Sequence, residues 1–149
     1  YLRKKQPYVS IENVVSGPGL ETIYHFLCDQ AGVKAEISSA AEIGAEALEG
    51  VKLPRQAALL LLNALASVIV DNILIMGCWK GAVITGGVVP KLSGLIDKSE
   101  FKERLRSPSY LQEVFDEIPV WLSTNPMSGL LGAQSALSNT FLRSRLILR

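Results

Sequence analysis

The chain has 149 residues, 48% of them apolar and 19% charged, and its formal net charge is only +1. So weak a field gives no sign of nucleic-acid binding, and none is expected. A chain of about 150 residues is long enough to bury roughly 68–70% of its unfolded surface, so one sizeable core and a soluble globular enzyme or module are expected.

Tyr1 to Gln6 reads as a polar, basic helix end or tail, and a start at Tyr rather than Met suggests a piece of a longer protein. No apolar secretory core opens the chain, and Cys28 and Cys78 stand far apart without a CxxC pattern, which implies a reduced, cytoplasmic setting. Ser10 is placed to cap a short helix over Ile11 to Val15, and Ser16-Gly17-Pro18-Gly19 then predicts a sharp turn before the chain restarts as a helix. In that second helix Leu20, Ile23, Tyr24, Leu27 and Cys28 form an apolar stripe ending near Gly32. His25 lies off the stripe and has no partner at ligand spacing, so a solvated surface role is expected and no metal site.

Ser39-Ala40-Ala41-Glu42 has the form of a capping box, opening a helix through Leu48 that stops near Gly50, and its alanine-rich face predicts close packing. The apolar run from Ala57 to Met76 is long enough to cross a bilayer, yet Asn63, Ser67, Asp71 and Asn72 interrupt it. A central core helix is expected, with Pro54 in its first turn, Gly77 as its stop and no membrane partner.

Gly81 to Pro90 predicts a short buried strand, a paired-glycine turn at Gly86-Gly87 and a helix start. Glu100 to Arg106 is a charged amphipathic helix, after which Ser107-Pro108 begins another that should turn Tyr110, Leu111, Val114 and Phe115 inward. Ile118 to Ser123 is the second strand, with Pro119 tolerable near its start. Asn125-Pro126-Met127-Ser128 marks a turn, and Gly129 to Phe141 a last helix whose small residues suggest close backbone contact. Phe141 to Arg149 mixes aliphatics with three arginines and suits a helix end, where cations are favoured. The class is α/β, rich in helix, and two strands make a thin sheet whose further strands are expected from sequence outside this chain.

Three segments, Ser10 to Leu20, Ile84 to Lys91 and Ser128 to Ala133, together with Ile118-Pro119-Val120, resemble bacterial glucokinases in order and spacing from about Tyr8 to Leu137. The resemblance implies the helix-rich part of the large domain of an actin-like ATPase fold. It implies that residues 1–149 are the C-terminal portion of a glucokinase whose N-terminal lobe is missing. The parent would use ATP with Mg to phosphorylate the 6-hydroxyl of glucose, in the cytoplasm, and family members commonly pair, which implies a homodimer.

By the same resemblance Glu12 binds the sugar hydroxyls. A carboxylate can accept two hydroxyl protons in one plane and so read a sugar's orientation, although a first-turn glutamate is also favoured by the helix dipole. Gly86 and Gly87 match the family's adenosine motif, where absent side chains let backbone approach the base and ribose at a helix start; on their own they read equally as a tight turn. The family's Asp-x-Gly-Gly-Thr, Asn-Asp and Glu-Gly-Gly-His motifs do not occur here, and Asp29, Asp71, Asp97 and Asp116 do not match them. No catalytic residue and no tightly bound cofactor are therefore expected in this chain, and it should not turn over glucose alone. Met127-Ser128 also departs from the family's Pro-Gly-Leu-Leu-Gly run. A helical protein-interaction module that kept the fold without catalysis is the alternative.

Overall fold

The structure, a computed structural model, describes residues 1–106 and 109–140. After a short helix α1 (Leu2–Lys5) and a 3-10 turn (Ile11–Asn13), three helices form the body: α2 (Gly17–Ala31), α3 (Ala40–Glu49) and α4 (Lys52–Met76). Their limits follow local signals. Ser16 and Ser39 accept hydrogen bonds from the N–H groups of Gly19 and Glu42, and each helix ends on a glycine in the left-handed region. The predicted break at Ser16 to Gly19 is thus a cap plus the first turn of α2, because Pro18 has a φ suited to a helix start and lacks only an N–H that would be unpaired there.

The 25-residue α4 is the centre, packed against α2, α3 and α5 (Phe101–Leu105). Its Leu61, Leu62 and Ile73 are fully buried with Leu20, Ile43 and Leu92, each such side chain contributing about 1.5–3 kcal/mol. By length and composition α4 could cross a membrane. Two of the polar residues interrupting its apolar run instead hold α5: Asn63 Oδ1 accepts the Glu100 N–H at 2.9 Å, and Arg104 donates to Ser67 Oγ at 3.4 Å. The helix is not buried all round, since Leu60, Ile75 and Met76 stand exposed.

On the predicted inward stripe of α2, Leu20, Tyr24 and Cys28 are buried. Burial, with the Cys28 thiol adding to it, holds the Tyr24 phenol above its usual pKa, so it stays neutral inside.

Strands β1 (Ala82–Ile84) and β2 (Val120–Leu122) pair in parallel, with Val83 opposite Trp121. Between them run a 3-10 helix (Ser93–Lys98), α5, a 3-10 turn (Ser109–Leu111) and α6 (Gln112–Glu117). No α-helix starts at Gly86-Gly87. The chain makes a compact turn in which the Lys91 N–H bonds to the Val88 carbonyl and the Leu92 N–H to the Val88 and Val89 carbonyls. The 3-10 helix follows because its three-residue repeat sets Leu92 and Leu95 on one face, and both are buried.

Ser107-Pro108 lies outside the described residues, as does Phe141 to Arg149. Beyond that gap the expected inward set is corrected: Phe115 is buried and Leu111 half-buried, but Tyr110 is 81% exposed and Val114 is exposed. A 3-10 turn followed by a helix of under two turns rotates those residues off a single 3.6-residue stripe. The last helix, α7 (Ser128–Ser138), buries none of its residues, and a Cβ at Gly129 or Gly132 would meet nothing. Close backbone contact there is therefore not found among the described residues.

Candidate functional site

Glu12 sits in a loop whose backbone is pinned on both sides. Asn13 Oδ1 accepts from the Ser10 N–H at 2.8 Å and from Ser10 Oγ at 3.0 Å, while the Asn13 N–H returns to the Ser10 carbonyl at 3.1 Å. Ser16 Oγ accepts the Gly19 N–H at 3.0 Å and donates to the Glu12 carbonyl at 2.6 Å. The same hydroxyl therefore caps α2 and holds the loop that carries Glu12. The Glu12 side chain is left exposed, available to a ligand.

The start of α2 is also where the other motif arrives. A side chain at Gly17 would touch Val88 Cγ2 at 3.9 Å and Ala40 Cβ at 3.7 Å. Glu21 Oε1 accepts the Ala40 N–H at 2.8 Å, stitching α2 to the first turn of α3. So the loop after β1, the head of α2 and the head of α3 converge. Gly86 and Gly87 lie exposed at the end of β1.

Beside them opens a cleft of about 610 Å³. Its walls are Leu20, the α3 residues Ala40, Ala41, Gly44, Ala45 and Leu48, and Gly87, Val88, Lys91 and Leu92. It is apolar, with Lys91 as its one charged lining residue, in the size range of small-molecule sites. Gly87 is on its wall; Gly86 and Glu12 are not among its lining residues. The alanine-rich face of α3 thus divides: Ile43 and Ala47 pack inward, Ala41 and Ala45 are exposed along the cleft, and Gly44, buried between them, forms part of its wall. That face was the sequence signal for the cleft, since small residues one turn apart leave a slot as readily as they allow close packing.

The expected helix start at Gly86-Gly87 is absent, and with it the helix dipole that would attract a phosphate. The Lys91 and Leu92 N–H groups are used within the turn. What the loop offers is a side-chain-free wall against an apolar slot, which suits a flat ring better than an anion.

Other candidates lie apart. His25 is half-buried with its ring 5.8 Å from that of Tyr24. Asp97 pairs with Lys102 at 2.6 Å, Asp116 with Arg106 at 2.7 Å, and Asp29 and Asp71 are exposed. Among the described residues no three His, Cys, Asp or Glu side chains group to hold a metal ion. Met127-Ser128 is absorbed without distorting α7: Asn125 accepts the Met127 N–H through Oδ1 and the Ser128 hydroxyl through its carbonyl.

The family model for glucokinase matches residues 1–140. The chain is 32% identical over 139 residues to the glucokinase of Chromohalobacter salexigens, covering 93% of this chain and 44% of that protein. It is 37% identical over 144 residues to that of Zymomonas mobilis, covering 94% and 43%. Among solved structures it resembles the crystal structure of a glucokinase from an Antarctic psychrotroph, with a TM-score of 0.80 and 31% identity over 93% of this chain and 44% of that one. The chain spans less than half the length of the relatives it matches.

Proposed function

Because the chain belongs to the glucokinase family, we propose that it is the C-terminal portion, within an actin-like ATPase large domain, of an enzyme that phosphorylates glucose at its 6-hydroxyl with ATP and Mg. Glu12 binds the sugar hydroxyls, and Gly86 and Gly87 border the adenosine site. The base that deprotonates the sugar, the phosphate loops and the Mg ligands come from the remaining part of the family's fold. Positioning and charge stabilisation dominate phosphoryl transfer, so without those parts the chain alone gives no turnover. The parent works in the cytoplasm, where its free thiols Cys28 and Cys78 stay reduced, and pairs as a homodimer.

The observation that carries this is the convergence of the two motifs on one end of α2. Ser16, which holds the Glu12 loop, is followed by Gly17, which faces Val88 of the glycine turn beside the apolar cleft. A kinase that joins a sugar to a nucleotide needs their sites on neighbouring rigid elements.

Gly87→Val tests the nucleotide side. A Cβ at Gly87 meets nothing within 4 Å, so stability should change by no more than about 0.5 kcal/mol. The added branches project at the cleft wall and should weaken adenosine binding by about tenfold or more, read by calorimetry beside a urea unfolding curve. Unchanged affinity in a stable variant would remove Gly87 from the nucleotide site.

A further inference from the structure

A cleft that holds a nucleotide meets two unlike demands, a flat apolar surface for the base and a positive charge for the phosphate. The walls beside the glycine turn meet the first with Leu20, Ala41, Ala45, Leu48 and Val88. Such walls hold a nucleoside and its phosphate ester alike, because no aliphatic side chain responds to the charge that distinguishes the two. The glycine turn adds no helix dipole, since the element that follows it is the 3-10 helix from Ser93. That leaves Lys91, the one charged residue lining the cleft.

The neighbours of Lys91 hold its backbone in place. Val89 before it and Leu92 after it are buried, and the Lys91 N–H bonds to the Val88 carbonyl at 3.1 Å. Lys91 itself is exposed, and among the described residues its ammonium makes no salt bridge and no hydrogen bond. An arriving anion therefore displaces no internal partner. A fixed backbone that carries an unpaired cation on the wall of an apolar slot suits an anionic ester attached to a flat ring.

We infer that Lys91 binds the 5′-phosphate nearest the ribose, and that it is the group by which this cleft selects a nucleotide over the free nucleoside. The inference rests on the nucleotide reading of the cleft, and Lys91 adds to the phosphate loops of the remaining fold without replacing them. Calorimetric titration of the full chain with adenosine and with AMP, which differ only in the phosphate, tests it. AMP is expected to bind about tenfold more tightly than adenosine at low salt, the scale of one charge-assisted contact, with the advantage shrinking as ionic strength rises. Lys91→Gln should lower AMP to the affinity of adenosine and leave adenosine unchanged, while Lys91→Arg should keep most of the AMP advantage. Both changes fall at an exposed position and should leave the circular dichroism melt unmoved, which guards against a folding defect. If adenosine binds but AMP gains nothing over it, or keeps its gain in Lys91→Gln, the role of Lys91 is overturned and the nucleotide cleft stands. If neither ligand binds, the cleft is not a nucleotide site and the role of Lys91 falls with it.

Discussion

Gly19→Ala is expected to destabilise the chain by about 3 kcal/mol, lowering its thermal midpoint by roughly 6–12 °C. A Cβ at Gly19 would stand 2.3 Å from the Val14 carbonyl oxygen and 2.5 Å from its carbon. The obstacle is backbone, so it cannot swing aside as a side-chain tip would. Either the first turn of α2 unwinds, breaking the Gly19 N–H to Ser16 Oγ bond, or the Val14 strand of the loop moves outward and takes Glu12 with it. Gly17→Ala is the control: its Cβ would meet only ordinary contacts at 3.7 and 3.9 Å, and a change within about 0.5 kcal/mol is expected. Circular dichroism melts of the two variants check this. Equal melts would mean that the loop does not close on α2 as described.

Gly81→Ala should cost about 2–4 kcal/mol by adding two penalties at one position. Gly81 has φ +127, a region costly for any residue with a side chain. Its Cβ would also lie 2.6 Å from Trp121 Cζ3 and 2.7 Å from the Pro119 carbonyl, which accepts the Ala82 N–H that opens the sheet. A double-mutant cycle with Trp121→Ala separates the two. Truncating the ring should recover about 1 kcal/mol and leave the backbone and Pro119 part unrelieved. Additive effects would show that the ring does not rest over Gly81.

Local chemistry made most of the fold legible. Ser39 with Glu42, Pro54, and the glycines after α2, α3 and α4 act within one helical turn, and the stripe Leu20, Tyr24, Cys28 needs only the 3.6-residue period. What failed depended on distant partners. The segment after Gly86-Gly87 took a turn and a 3-10 helix because Leu92 and Leu95 had to reach the core together. The small residues of α7 looked like a contact face, yet among the described residues nothing packs on Gly129 or Gly132. The site was half legible. The motifs pointed to Glu12, Gly86 and Gly87, but Ala41, Ala45, Leu48 and Lys91 become a cleft only when α3 folds beside the glycine turn. Conversely, Asn63 and Ser67 looked like interruptions of an apolar helix and are anchors for α5.

The most direct measurement is glucose phosphorylation with ATP and Mg, run on this chain alone, on the chain combined with the complementary part of the Zymomonas mobilis glucokinase, and on the same combination carrying Glu12→Gln. No turnover is expected from the chain alone, and turnover is expected from the combination. Glu12→Gln keeps the shape but loses the charged acceptor, and should lower kcat/KM by about 100-fold, or about 2.7 kcal/mol. Turnover by the chain alone, or a Glu12→Gln combination as active as its parent, would contradict the assignment of this chain as the sugar- and nucleotide-contacting portion of a glucokinase.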